Sequence, residues 1–192
     1  LTTDKLLTDS GIQPLLALVE KGYPVKIMVL ESGSISPENA VAQINARANA
    51  IWPIMAQNNV FVGRGSLANG NNLFALCEEA LKLQGPAVLE IFTPNAFAFD
   101  IKPARWPQLA SLAVSSRMFL PLRFAPGEKT AAACLKVEVE NMDSDWNKTQ
   151  LSFTEGEEEK QLDYTLTFAD YAYLLNAWKG HFTKMENAAN AV

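Results

Sequence analysis

The chain of 192 residues is poor in the side chains that most often carry polar chemistry, with one histidine and two cysteines. Cys77 and Cys134 are too few for a secreted disulfide framework, so a reduced pair in the cytoplasm is expected. A zinc site is not indicated, because one histidine and two cysteines 57 residues apart form no ligand pair. His181 has no nucleophile signature beside it and reads as a surface residue near the end of the chain. The apolar stretches all fall short of the roughly 18 residues that a membrane helix needs. Basic excess is also missing. With 16 Lys and Arg against 21 Asp and Glu, the net charge of −5 argues against general nucleic-acid binding. Leu1 is not preceded by a methionine or a charged leader, from which no signal peptide and a place within a longer chain are expected.

What is present is hydrophobic material, 48% of the residues, and that is enough for an independent core. Short apolar runs alternate with amphipathic stretches of about a dozen residues. Ile12 to Leu18 reads as a helix ending at Glu20-Lys21-Gly22, and Pro24 to Leu30 as a buried strand. Ser36 with Pro37 reads as the start of a helix through Ala42, Ile44, Ala48 and Ile51. Asn59 to Val62 predicts a strand, Gly63 to Asn72 a glycine and asparagine loop, and Leu73 to Leu83 a helix with Leu73, Leu76, Cys77, Ala80 and Leu81 on one face. Ala87 to Phe92 predicts the third strand, and Ala104 to Ser116 a helix. Phe119 to Phe124 predicts an edge strand, because Pro121 cannot donate to a ladder.

This alternation predicts an α/β fold, a doubly wound and mostly parallel sheet with helices on both faces. Residues 1–130 would form that body, and residues 131–192 a small C-terminal α+β extension packed on it. In the extension, Leu135 to Glu140 reads as an exposed strand and Glu155 to Lys160 as an acidic turn. Thr167 and Asp170 form a capping box opening a helix through Tyr171, Leu174, Leu175 and Trp178. The four tryptophans, Trp52, Trp106, Trp146 and Trp178, read as packing residues.

Ligands of such sheets bind outside the carboxyl ends of the strands. The expected site is therefore built from Glu31 to Pro37, Gly63 to Asn72 and Thr93 to Asn95. Free amides in the second loop could hold an anion, with Arg64 as the accompanying cation.

The same loops carry a family resemblance. In order, and without a gap, the first third reads Thr3-Asp4-Lys5, Asp9-Ser10-Gly11, Lys21-Gly22, Val25 to Leu30, Glu31-Ser32 and Ile35-Ser36-Pro37-Glu38. Further on come NVFVGRGSLANGNN, GPAVLEIFTPN, FLPLRFAPG and LTFADYA. From Asp4 to Pro126 this series resembles the thiamine-diphosphate-binding C-terminal domain of pyruvate:ferredoxin (flavodoxin) oxidoreductases. Those enzymes have Gly-Asp-Gly where Thr3-Asp4-Lys5 stands here, and a Gly-Ala-Asn loop where Asn69 falls.

The resemblance implies thiamine diphosphate held through Mg2+, with the Asp4 carboxylate, the Ser32 hydroxyl and the Ser34 carbonyl as metal ligands, and Arg64 and Asn69 beside the cofactor. It implies a function as part of a 2-oxoacid:ferredoxin oxidoreductase-like protein. The partners would be other domains or subunits, indirectly ferredoxin or flavodoxin, and further copies in an oligomer. Thr3 and Lys5 replace two glycines of the family, and Pro37 replaces its substrate-contacting asparagine, which implies a divergent site inactive in isolation. Two alternatives stand beside this reading: a scaffold module that kept the fold, and an unrelated α/β enzyme binding a small anion near Arg64 and Asn69.

Overall fold

The computed structural model describes residues 2–3, 12–40, 42, 51–95, 98–99, 101–127, 130–138, 148–155 and 158–183. Six strands form one sheet: β1 (Thr2–Thr3), β2 (Lys26–Glu31), β3 (Phe61–Ser66), β4 (Ala87–Phe92), β5 (Leu122–Phe124) and β6 (Leu135–Val137), in the order β1-β2-β4-β3-β5-β6. The first four are mutually parallel, and β5 runs antiparallel to both β3 and β6.

Helix placement follows the direction in which the chain moves along the sheet. Helix α1 (Ile12–Glu20) and helical residues 51–56 (α2) lead from β1 to β2 and from β2 to β3, both outward in one direction. They share one face. Leu15, Val19, Ile51, Ile54 and Met55 pack there on Val29, Val62 and Val88. The return from β3 to β4 uses α3 (Gly70–Lys82), and its Leu76 and Ala80 pack on Phe61, Ala87 and Leu89 of the opposite face. Helix α4 (Trp106–Ser115) again leads outward, and Leu109, Ala110 and Ala113 join Phe92 and Phe119. A reversal of direction with a change of face is what uniformly right-handed crossovers require. The fold is therefore the expected α/β arrangement with helices on both faces.

Several boundaries differ from the sequence reading. Gly63 to Ser66 is not loop but the second half of β3, and the chain then makes a short 3-10 turn, Leu67–Asn69, directly into α3. Both glycines are there for close packing. A Cβ on Gly63 would come within 2.8 Å of Leu89, and one on Gly65 within 2.8 Å of Leu73 on α3. β5 is not an edge strand, because β6 covers it; Pro121 precedes the ladder and so removes no bond from it. Leu81 points to solvent, 72% exposed, and Trp52 is likewise exposed. Ser36 and Pro37 open a 3-10 turn, Pro37–Asn39, and the Ser36 side chain bonds Glu38 rather than capping a backbone amide. Much of the expected helix that follows, including Ile44 and Ala48, lies outside the described residues.

The C-terminal stretch opens with the short helix α5 (Ala131–Cys134), contributes β6 to the main sheet and then forms a separate hairpin of β7 (Lys148–Glu155) and β8 (Glu158–Thr165), which the acidic composition had suggested only as a turn. The capping box is present, with Thr167 and Asp170 bonded reciprocally at the start of α6 (Phe168–Tyr173). That helix is shorter than expected; it gives way to a 3-10 segment, Asn176–His181, with Leu175 bridged to Phe99.

Candidate functional site

The carboxyl ends of the parallel strands bring two of the three expected segments into contact, and the third follows β3 on the other side of β4. The loop after β2 is stitched to the loop after β4: Thr93 N–H donates to the Glu31 carbonyl (2.7 Å) and Asn95 N–H to the Ser32 carbonyl (3.3 Å). The Glu31 carboxylate is buried and accepts from Gly33 N–H at 2.9 Å. Gly33 has φ +69°, the left-handed region that glycine enters freely. Its Cα faces protein rather than open space, since a Cβ there would collide with the Tyr171 hydroxyl and come within 2.6 Å of the Phe92 ring.

The C-terminal segment closes over this loop. Tyr171 donates its hydroxyl to the Gly33 carbonyl at 2.7 Å, and Trp178 donates Nε1–H to the Ile35 carbonyl at 2.9 Å. Phe92, Phe99 and Phe168 surround the Tyr171 ring with centroids 5.7–6.5 Å away. The sequence reads Trp178 as a packing residue and Tyr171 simply as part of a helix. Their donor atoms, which bond the candidate loop, have no signature in the local sequence.

The expected site residues fare differently. Ser32 and Ser34 sit half-buried in the loop after β2, and Ser34 N–H approaches the Ser32 hydroxyl at 3.4 Å. Asn69 is exposed at the end of β3, where its side-chain oxygen accepts from Asn72 N–H at 3.0 Å and caps α3. Asp4 lies outside the described residues. The strand before it, β1, runs parallel to β2 and pairs Thr3 with Leu30.

Arg64 is a strand residue, not a loop residue, and its guanidinium is engaged within the fold. Nε donates to Glu90 at 2.6 Å, Nη1 to the Leu120 carbonyl at 3.3 Å, and the group lies over the Phe119 ring at 4.5 Å. Glu90 is 1% exposed. This pair answers a need that the apolar run of β4 conceals, because a buried carboxylate requires a partner.

The chain is 23% identical to pyruvate synthase subunit PorB of Thermotoga maritima. That likeness runs over 130 aligned positions and covers 57% of this chain and 40% of the relative. It supports a distant relationship to an oxidoreductase subunit of the 2-oxoacid:ferredoxin type. The chain thus spans well under two thirds of the curated relative it matches. No family model matches it.

The donor chemistry of the loop suits a hard divalent cation, which takes oxygen ligands. Ser32 and Ser34 supply a hydroxyl and a carbonyl, and among the described residues no cluster of three His, Cys, Asp or Glu side chains offers a competing site. Among them, too, no helix is long and apolar enough to cross a membrane.

Proposed function

We propose that the chain is a divergent thiamine-diphosphate domain of a 2-oxoacid:ferredoxin oxidoreductase-like assembly, working with other domains or subunits. The observation that carries this reading is the Ser32–Ser34 loop. It stands at the carboxyl end of a central parallel strand, stitched to the neighbouring loop, in a chain distantly similar to a pyruvate synthase subunit. Asp4, Ser32 and Ser34 would hold Mg2+ on the cofactor's diphosphate, and Asn69 would flank it. When bound, thiamine diphosphate supplies the electron sink for chemistry at the carbonyl carbon of a 2-oxoacid. The residues of this chain position the diphosphate end. Reduction of ferredoxin or flavodoxin, and activation of the cofactor, belong to the partners.

Assembly is supported by an apolar surface beside the site. Leu67, just before α3, and Phe74 and Leu81 on it are 43%, 71% and 72% exposed at seven-residue spacing, an apolar stripe that a partner would cover. Oligomerisation and a place in the cytoplasm are part of the same proposal.

A specific observation favours the scaffold alternative: Tyr171 and Trp178 occupy carbonyls of the candidate loop, and aromatic rings fill the space behind Gly33. Calorimetric titration with thiamine diphosphate and Mg2+ separates the readings. A divergent site gives weak, magnesium-dependent binding that Asp4→Ala abolishes. Micromolar binding would show an intact site and refute divergence. The absence of heat at millimolar cofactor would favour the scaffold.

A further inference from the structure

A cavity of about 550 Å3 opens along α4, lined by Ile101, Lys102, Arg105, Gln108, Leu109, Leu112 and Leu174. Its size is that of a small-molecule site. None of the residues discussed for the cofactor lines it, so the inference that follows is independent of the proposed function.

The lining is ordered along the helix axis. Arg105, Gln108, Leu109 and Leu112 fall at i, i+3, i+4 and i+7 and thus form one stripe. The polar end of that stripe is the helix N-terminus, where Arg105 and the nearby Lys102 stand exposed. Neither cation has a carboxylate partner among the described residues, although the protein as a whole is acidic. The dipole of the ten-residue helix adds positive potential at the same end. Toward the other end lie Leu109, which is buried, and Leu112 and Leu174, which are half-buried. Pro103 and Pro107 stiffen the backbone around the cations, and Arg105 N–H bonds the Lys102 carbonyl at 2.9 Å.

We propose that this cavity binds a small amphiphilic carboxylate, with the carboxylate at Lys102 and Arg105 and the hydrocarbon along Leu109, Leu112 and Leu174. A planar guanidinium matches a carboxylate with two parallel bonds, and the leucines remove an alkyl chain from water. Both halves are needed for the ligand to be held.

The test is calorimetric titration of the whole chain with octanoate, acetate and octylammonium. Octanoate is expected to bind with a submillimolar constant, acetate at least about tenfold more weakly, and octylammonium not measurably. K102A/R105A removes two exposed side chains and leaves the fold intact, so its effect reports on binding. It should weaken octanoate about tenfold or more, the loss expected from charge-assisted bonds. Leu112→Ser should weaken octanoate while leaving acetate unchanged. Absent octanoate binding, equal binding of octylammonium, or indifference to K102A/R105A would each overturn the proposal.

Discussion

The Tyr171 hydroxyl bonds the carbonyl of Gly33, a residue 138 positions earlier, inside an aromatic cluster that also holds Phe92 and Phe99. Together with the Trp178 bond to Ile35, it fixes the C-terminal segment onto the loop that follows β2. Tyr171→Phe keeps the ring but leaves the Gly33 carbonyl buried without its donor, which should cost about 1–3 kcal/mol in urea unfolding. Gly33→Ala should cost more than Tyr171→Phe. It forces a left-handed conformation on a residue with a Cβ, about 1–2 kcal/mol, and drives that atom into Tyr171 and Phe92, about 1–3 kcal/mol more. An unchanged midpoint for Gly33→Ala would show that the loop does not adopt this packing.

Two tryptophans make opposite predictions under the same substitution. Trp178 donates to the Ile35 carbonyl, and Trp178→Phe removes that donor, at an expected cost of about 1–3 kcal/mol. Trp106 has a buried Nε1 without a hydrogen-bond partner among the described residues. Trp106→Phe therefore removes an unsatisfied group and should be neutral to within about 1 kcal/mol, since relief of the orphan donor offsets the smaller ring. Equal losses for both variants in parallel urea curves would contradict the difference in bonding.

The buried pair of Arg64 and Glu90 separates a structural role from the anion-binding role that the loop reading assigned to Arg64. Arg64→Met leaves Glu90 charged and unpaired inside the sheet face, an expected loss of about 3–5 kcal/mol. Replacing both residues, Arg64→Met with Glu90→Leu, should recover most of that loss, because two apolar side chains need no compensating charge. Thermal or chemical unfolding of the parent, Arg64→Met, Glu90→Leu and the double variant forms a double-mutant cycle. If the double variant were no better than Arg64→Met, the cation would be serving something other than Glu90.

What the sequence revealed, and what it hid, follows from where the constraints act. β4 was legible to the residue, because Pro86 and Thr93-Pro94 bracket a run of six buried residues. The Thr167–Asp170 box was legible because capping is local chemistry. β3 was cut short because Gly63 and Gly65 look like turn residues; their purpose, close approach of α3 and β4, exists only in three dimensions. The β7–β8 hairpin escaped notice because β8 is almost wholly exposed and carries no burial alternation. In the candidate site, topology alone placed the loop from Glu31 to Pro37 at the strand end, whereas Ser32 and Ser34 were singled out within it by the family resemblance. The bonds from Tyr171 and Trp178 to that loop span more than 130 residues, and no sequence window contains them.

Tyr164 links the hairpin to α6 and makes that junction sensitive to alkali. Its hydroxyl bonds Asp170, and that bond, helped by partial burial and the aspartate's charge, pushes its pKa from 10.0 up to about 12. The protonated phenol is the bonded form, so the folded state holds this proton more tightly than the unfolded chain. The contribution to stability is therefore complete below pH 10 and fades as the pH rises toward about 12. The chain has four tyrosines, and absorbance titration of the native protein against Tyr164→Phe isolates the one in question. The difference curve should have its midpoint near 12, and the stability advantage of the parent over Tyr164→Phe should shrink across the same interval. A difference curve centred at 10 would mean that Asp170 serves only the helix cap.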